Sequence, residues 1–252
     1  MPDIKIAFPT DEHFPYQDEN ARNLALQIIK DFKPTDLVTG SDGLDFYTIS
    51  SFDKDPIRAK EFNMQDEIEA WTVGQGEWRN AVGFATLHFL QGNHEERWKR
   101  YLWRHPEIAG MEALNLAHLL NLSELGFENG VEDEVNFADM LIVSHGTSVR
   151  PGSGNTARTE LEKEKFAVST LTGHTHRGGL VYVKTRYNIK QAAEGFCLCN
   201  YEAPYARGPM DWQHGITLAT ITKNVLSIEQ IAFHQVDGKE VAQWRDKEYR
   251  NK

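Results

Sequence analysis

Short apolar segments rich in β-branched residues alternate along the first two thirds of the chain with segments in which apolar residues recur at helical spacing. The pattern predicts five strands in that part: 4–8, 36–40, 84–91, 139–144 and 166–172. Between the first two strands, Leu24, Ile28 and Phe32 recur every four residues. Lys33-Pro34 ends this run, so a helix is predicted over 18–32 and the chain begins as a β-α-β unit.

The middle of the chain is the more helical part, and its end is β-structured. Helical spacing predicts one helix over 58–71 and two more across 95–126, separated near His105-Pro106. After residue 180 the pattern predicts only strands: 180–184, 195–201, 215–222 and 225–233. The last two are joined by Lys223-Asn224 as a tight turn. Helices between early strands and hairpins later indicate an α/β fold with two packed mixed β-sheets flanked by helices, in one domain over 1–252.

Composition narrows the class of protein. The 252 residues carry a formal net charge of -10, which argues against a broad basic surface for duplex nucleic acid. We find no apolar run long enough to cross a membrane and no apolar core of a signal peptide after Met1, so a cytoplasmic protein is expected. The cysteines Cys197 and Cys199 lack Cys or His neighbours and are interpreted as buried side chains in a strand.

Five polar segments each follow a predicted strand. They are Asp11-Glu12-His13, Asp42 with Asp45, Gly92-Asn93-His94-Glu95, His145-Gly146 and Gly173-His174-Thr175-His176. Sites in open α/β sheets form beyond the carboxyl ends of strands, so five such segments can converge on one point.

The residue types in these segments are carboxylate, imidazole and amide. Such donors suit Mn²⁺, Fe, Zn²⁺, Ni²⁺ or Co²⁺, and affinity alone does not choose among these ions. In extended chain, residues i and i+2 lie on one side, so Asp-x-His and His-x-His can each reach one ion or two adjacent ions. Each motif alone is weak evidence, whereas all five in this order are specific.

Together the five segments resemble the signature motifs of the calcineurin-like metallophosphoesterases, whose pattern is D-x-H, G-D-x-x-D, G-N-H-[DE], a single His and G-H-x-H. The resemblance extends over about residues 4–235 and is nearest to phage and bacterial members. It implies a four-layer αββα sandwich and a phosphoester hydrolase with two divalent ions, of which Mn²⁺ is favoured, and with a metal-bridging hydroxide as the nucleophile.

The resemblance also implies a ligand set. One metal would be bound by Asp11, His13, Asp42 and His176. The second would be bound by Asp42, Asn93, His145 and His174, with Asp42 as the bridge. His94 would be the general acid, or would stabilise the transition state, and Glu95 would orient its ring.

One position departs from the family pattern. The family's Gly-Asp is replaced by Gly40-Ser41-Asp42, so a serine precedes the bridging aspartate. If a positive φ is needed there, we expect Ser41 to cost about 1 kcal/mol or more, or the loop to be rearranged.

Side chains near the motifs supply candidates for substrate contact. Arg97, Arg150 and Arg177 each follow a motif and could bind phosphate with a bidentate guanidinium, although solvated arginines are the common case. The remaining histidines are interpreted as structural, except that His214, beside Trp212, could line a substrate pocket.

Three functions remain open at this point. The favoured one is a phosphodiesterase for a small or nucleotide-type ester, and a phosphomonoesterase would use the same metal centre. The second is a DNA exonuclease or end-processing nuclease whose groove is lined by Arg97, Lys99 and Arg100. The third is a metal-binding scaffold that has lost catalysis. No membrane partner is indicated, and fold resemblance does not fix the substrate.

Overall fold

The computed structural model describes residues 3–51, 54, 60–202 and 210–251. Within these residues, the helices are α1 (Glu19–Phe32), α2 (Met64–Val82), α3 (Glu95–Arg104), α4 (Leu116–Leu119) and α5 (Asn155–Lys163). Short 3-10 turns lie at Tyr47–Ile49 and Glu112–Leu114. The strands are β1 (Ile4–Phe8), β2 (Asp36–Gly40), β3 (Thr86–Leu90), β4 (Phe127–Glu132), β5 (Glu134–Phe137), β6 (Leu141–Ser144), β7 (Ser169–Thr172), β8 (Gly178–Lys184), β9 (Ile189–Gly195), β10 (Gly215–Thr222), β11 (Val225–Val236), β12 (Lys239–Trp244) and β13 (Lys247–Arg250).

The strands of the described ranges form two mixed sheets. The larger sheet has the order β13-β12-β11-β10-β1-β2-β3-β4, and the smaller has the order β5-β6-β7-β9-β8. β1 to β4 run parallel to one another, and β6 runs parallel to β7. The carboxyl ends of these parallel strands carry the candidate site.

Alternation along β1 shows how the layers are packed. Ile6 and Phe8 are fully buried in the core between the two sheets, and Ala7 is buried in the core between the larger sheet and the helices. Side chains of successive strand residues point to opposite faces, so the three consecutive apolar residues Ile6 to Phe8 fit the part of β1 that is covered on both faces. α5 packs on the outer face of the smaller sheet through Ala157 and Leu161. The order of layers is therefore helix, sheet, sheet, helix, as predicted.

Local signals explain where the first two helices begin. The Asp18 side chain accepts hydrogen bonds from the N–H groups of Asn20 and Ala21 and caps α1. Asn63 and Asp66 form a capping box at the start of α2. The helix predicted over 58–71 is thus observed from Met64 to Val82, while Arg58 and Ala59 lie outside the described residues.

The early strands are confirmed within about three residues, and so is the 223–224 turn between β10 and β11. The strand predicted over 195–201 is wrong. β9 ends at Gly195, and Cys197 and Cys199 form only isolated β-bridges. Both cysteines are buried and free of disulfides, as expected, but Cys199 does have a histidine neighbour, since its Sγ lies 3.6 Å from Nδ1 of His176. Only the short α4 follows Pro106 where a second long helix was predicted. Six elements were not predicted: α5, β4, β5, β9, β12 and β13. The one-domain assignment stays a prediction.

A search of the described helices for one long and apolar enough to cross a membrane finds none.

Candidate metal centre

All five polar segments lie in the loops that leave β1, β2, β3, β6 and β7 at their carboxyl ends. Three of these strands belong to the larger sheet and two to the smaller. The site therefore lies where the ends of the two packed sheets meet, and it draws side chains from both. The observed convergence agrees with the sequence prediction.

The first cluster of donors lies around His176. Its Nε2 is 3.0 Å from Nε2 of His13 and 3.2 Å from Oδ1 of Asp11. His13 Nε2 is also 4.0 Å from Oδ2 of Asp42. These four side chains are buried, and we call them subsite one.

The second cluster lies around His145. Its Nε2 is 3.0 Å from Nδ1 of His174 and 2.9 Å from Oδ1 of Asn93. Oδ2 of Asp42 is 3.4 Å from the same Nε2. We call Asp42, Asn93, His145 and His174 subsite two. The Asp42 carboxylate is thus common to both subsites.

The contacts fit a divalent metal in each subsite. Two imidazole nitrogens 3.0 Å apart cannot both donate, whereas two lone pairs that bind one cation at the usual 2.0–2.1 Å would lie at about this separation. The donors are imidazole, carboxylate and amide, the set that zinc, manganese and iron accept. In the described part of the chain, candidate ligand groups include Asp42 with His145 and His174, and Asp11 with His13 and Asp42.

Two glycines bring the loops close to the carboxylates. A Cβ at Gly92 would lie 2.2 Å from Oδ1 of Asp42, and one at Gly173 would lie 2.5 Å from Oδ2 of Asp11. Both glycines were part of the sequence motifs, and the structure explains them by this close approach.

Burial and neighbouring charges set the protonation of the imidazoles. Burial, together with the charge of His94, lowers the pKa of His13 to about 4, and burial also lowers the pKa of His174. Both rings are therefore neutral near pH 7, as a metal ligand must be. For His176, burial acts downward, but its contact with Asp11 raises the pKa to about 9. A metal in subsite one must displace that proton.

Five of the candidate ligands have left-handed backbone: Asp11, His13, Asp42, His174 and His176, with φ between 52° and 72°. Extended chain was predicted for the two i, i+2 pairs, Asp11 with His13 and His174 with His176, and that prediction is wrong. In each pair both residues have a positive φ, and the two side chains converge from this left-handed backbone. Non-glycine residues rarely do so, and such strain is concentrated at functional sites.

His94 lies beside both subsites. Its Nδ1 is 2.9 Å from the carbonyl oxygen of Asp45, and its Nε2 is 3.8 Å from Oδ2 of Asp42. Arg97 contacts Nε2 of this ring at 2.8 Å and pairs with the Asp45 carboxylate at 3.2 Å. Burial acts to lower the pKa of His94, but Asp42 and Asp45 outweigh it and the net direction is upward.

Glu95 has a different position from the one expected. Its carboxylate accepts hydrogen bonds from the backbone N–H groups of Asp42, Leu44 and Gly92. Asp45 occupies the place beside the His94 ring that the resemblance gave to Glu95. Asp45 also contacts Nδ1 of His13 at 3.2 Å. The sequence carried Asp45 in its motif but gave it no role.

Ser41, the residue that departs from the family pattern, has a positive φ of 52°. Its hydroxyl contacts Nδ1 of His145 at 2.9 Å and the hydroxyl of Thr10 at 2.9 Å. The loop is therefore kept with serine in place, and the side chain has partners that glycine would lack.

The three arginines have different surroundings. Arg97 lies at the site, as described above, and Arg150 is exposed. Arg177 is 4% exposed, and its guanidinium donates to Glu194, to Asp211 and to the carbonyl of Arg150. The guanidinium of Arg177 is thus engaged in ion pairs and loop contacts, and its assignment as a phosphate ligand stays a prediction.

Trp212 and His214, which were predicted to lie beside a substrate pocket, have different surroundings. The indole ring of Trp212 lies against the His176 ring, with centroids 4.2 Å apart. His214 is 3% exposed, pairs with Glu240 and stacks on Tyr201. Trp212 therefore borders subsite one, whereas His214 belongs to the packing of β12.

Comparisons with known proteins add little to this geometry. No family model and no curated protein matches the chain. Solved structures that are similar include Vps29 from Chaetomium thermophilum, with 8% identity over 99% of this chain and 100% of that chain, at a TM-score of 0.49. Vps29 from Entamoeba histolytica complexed with Zn²⁺ has 12% identity over 98% and 99% at 0.47, and PhoD has 10% over 92% and 69% at 0.45. Because all three TM-scores are below 0.5, we base the functional conclusion on the side chains of this chain.

Proposed function

We propose that this chain is a calcineurin-like metallophosphoesterase that hydrolyses phosphodiesters with two divalent metal ions, Mn²⁺ being the favoured one. One observation carries the proposal. The Asp42 carboxylate lies between two pairs of histidine nitrogens, each pair 3.0 Å apart. A carboxylate shared by two such clusters is what a two-metal hydrolase needs to hold its ions close together.

Bound divalent ions would supply positive charge for the phosphoryl oxygens and would acidify a water for attack on phosphorus. The other functions fall to residues of this chain. The N–H of His94 Nδ1 donates to the carbonyl of Asp45, so Nε2 faces the site. In this structure Nε2 accepts from the Arg97 guanidinium, so it can deliver a proton to the leaving oxygen only once the ring is protonated and Arg97 has turned to the substrate. Arg97, next to Nε2, is placed to bind a phosphoryl oxygen.

The charge near the site favours a diester over a monoester. Arg97 is paired with Asp45, and Arg177 is paired with Glu194 and Asp211. Neither guanidinium contributes an unbalanced positive charge. A diester carries one negative charge where a monoester carries nearly two at neutral pH, so it asks for less compensation beyond that of the metals.

A nuclease is the second candidate, and the exposed face of α3 favours it. Trp103 is 67% exposed, and the ammonium group of Lys99 lies 5.6 Å from its ring centroid. Arg100, on the same helix, is 62% exposed. An aromatic ring beside cations is a surface on which single-stranded bases stack. Arg150 is exposed and stays a candidate for phosphate contact. The catalytically silent scaffold is an outcome of the test below.

The proposal is tested on protein stripped with a chelator and reloaded with Mn²⁺, Zn²⁺, Fe²⁺, Ni²⁺ or Co²⁺. Substrates are an aryl phosphodiester, the matching monoester and labelled single- and double-stranded DNA. We expect metal-restored hydrolysis that favours the diester. We also expect Asp42→Asn to lose activity together with bound metal measured by elemental analysis, whereas Asp237→Asn, in an exposed hairpin turn, retains both.

Faster cleavage of single-stranded DNA than of the aryl diester would replace the proposal by the nuclease. Preference for the monoester would reverse the ester assignment. Tight binding of two metals without hydrolysis of any substrate would leave the scaffold as the conclusion.

A further inference from the structure

We propose that the hydroxyls of Ser41 and Thr10 form a chain of hydrogen bonds that fixes the tautomer of His145 and connects His145 to Asp11. Ser41 is then a positioning residue shared by the two metal subsites. The inference rests on the proposed metal centre, and it concerns the position at which this chain departs from the family motif.

Four polar groups follow one another at hydrogen-bond distance. His145 Nδ1 is 2.9 Å from the hydroxyl of Ser41, which is 2.9 Å from the hydroxyl of Thr10, which is 2.7 Å from Oδ2 of Asp11. The chain runs from a ligand of subsite two to a ligand of subsite one.

The acceptor at one end sets the direction of every bond. An ionised carboxylate accepts only, so Thr10 donates to Asp11, and this contact is shorter than the 3.2 Å from Thr10 to the carbonyl of Ser41. Thr10 has then used its proton and accepts from Ser41. Ser41 in turn accepts, and the group that donates to it is the N–H at Nδ1 of His145.

This tautomer is the one that subsite two requires. With the proton on Nδ1, the lone pair of His145 Nε2 faces Asn93, His174 and Asp42. The other tautomer would place a proton where the metal binds. Partners that donate to or accept from the second nitrogen of a ligand histidine fix its tautomer and tune the metal site.

Burial makes it hard for water to replace the hydroxyls in this chain of hydrogen bonds. Ser41 and Asp11 are 0% exposed, and Thr10 is 1% exposed. A Cβ at Gly173 would lie 2.5 Å from the Thr10 hydroxyl and 2.8 Å from that of Ser41, so this segment closes directly over the chain. A water that could stand in for a missing hydroxyl has little access.

The backbone at Ser41 supports the same conclusion. Its φ of 52° is one that glycine adopts without a steric penalty and serine does not. The side chain therefore has to contribute something that offsets the cost, and its two hydroxyl contacts are that contribution.

The test compares wild type with Ser41→Gly, Ser41→Ala and Thr10→Val. Ser41→Ala keeps the unfavourable φ and removes the hydroxyl, whereas Ser41→Gly removes both, so a role of the hydroxyl predicts the same direction for both variants. Thr39→Val is the matched control for Thr10→Val, because Thr39 is likewise buried, at 0% exposed, but its hydroxyl has no hydrogen-bond partner in the described structure.

Two readouts are used on the full chain. Calorimetric titration of chelator-stripped protein with Mn²⁺ should show a metal affinity about 10–100-fold lower in Ser41→Gly, Ser41→Ala and Thr10→Val than in wild type. The metal affinity of Thr39→Val should be unchanged. Long-range proton–nitrogen NMR of metal-free protein, with the His145 signals assigned by a His145→Gln variant, should show Nδ1–H in wild type. It should show a mixture of tautomers after Ser41→Gly or Thr10→Val.

Wild-type affinity in Ser41→Gly, or an unchanged His145 tautomer in both Ser41→Gly and Thr10→Val, would overturn the inference. The NMR readout needs neither bound metal nor turnover. If wild type cleaves no phosphoester, the proposed function fails while the tautomer result still decides the role of Ser41. Thermal unfolding of each variant identifies any that does not fold. If a Ser41 variant does not fold, Thr10→Val provides the test in its place.

Discussion

The carboxylate of Glu95 accepts a hydrogen bond from the backbone N–H of Asp42 at 3.0 Å. It also accepts from the N–H of Leu44 at 3.0 Å and from that of Gly92 at 2.8 Å. One buried side chain at the start of α3 therefore joins the loop after β2 to the loop after β3. The shared aspartate is held in place from its backbone as well as by the groups around its side chain.

Glu95→Gln is expected to destabilise this junction. A glutamine of the same shape has one acceptor oxygen, and its NH₂ group would face an N–H donor, so at least one buried hydrogen bond is lost. We expect the free energy of unfolding to fall by about 1–3 kcal/mol, measured by urea denaturation of metal-free protein. Glu96→Gln is the control, since Glu96 is 42% exposed and paired with the exposed Arg100, and should change stability by less than about 0.5 kcal/mol. Equal effects of the two substitutions would contradict the role of Glu95.

Glu67 gives the protein a specific pH dependence. Burial, and next the charge of Asp45, raises the pKa of Glu67 to about 8 from 4.5. Between about pH 4.5 and 8 the folded protein retains a proton that the unfolded chain has released. The free energy of unfolding therefore falls as pH rises through that window, by up to about 1.4 kcal/mol per unit from this group.

Glu67→Gln should flatten this slope. The amide is neutral at every pH, so its folded form carries no charging cost. Urea denaturation of metal-free wild type, Glu67→Gln and Glu69→Gln at pH 5, 6, 7 and 8 measures the effect, with the exposed Glu69 on the same helix as the control. Parallel pH profiles for wild type and Glu67→Gln would show that Glu67 titrates normally.

His94→Ala should lower turnover without removing the metals. His94 is not in either subsite, and general acid catalysis commonly contributes about 10²–10⁴-fold. We expect kcat on the aryl diester to drop by that order while metal content per chain stays at the wild-type value. His118→Ala removes a half-exposed imidazole of α4 and should leave both quantities unchanged. Loss of metal in His94→Ala would instead make His94 a ligand.

Arg177→Ala should lower stability more than it affects substrate binding. Removing one partner of a buried ion pair typically costs about 3–5 kcal/mol. Glu194 would lose its cation but keep hydrogen bonds from the N–H groups of Gly154, Thr156 and Ala157 and from the Thr175 hydroxyl, so we expect the low end of that range, about 3 kcal/mol. Arg150→Ala, at an exposed position whose carbonyl bonds are kept, should have little effect on unfolding. Thermal unfolding of both variants, followed by KM for the diester in whichever remain folded, measures the difference. A raised KM with normal stability in Arg177→Ala would support the substrate role.

Sequence patterns were informative where local rules decide the outcome. The β-branched segments before Pro9, Ser41 and Gln91 formed strands, Asp18 capped α1, and Lys223-Asn224 formed the turn of a hairpin. Motif residues placed directly after strands converged because the parallel strands end at one edge. The strand predicted at 195–201 failed since the burial of Cys197 and Cys199 comes from contacts between loops rather than from pairing in a sheet.

The sequence by itself determined the donor types, their order after successive strands and the layered α/β class, because side-chain chemistry and hydrophobic period are local properties. Only the tertiary structure decided that Asp45 rather than Glu95 lies beside His94, that Arg177 is buried in ion pairs, and that Ser41 reaches His145. Those contacts join segments 17 to 104 residues apart, and they depend on left-handed loop backbone that the packing of two sheets holds in place.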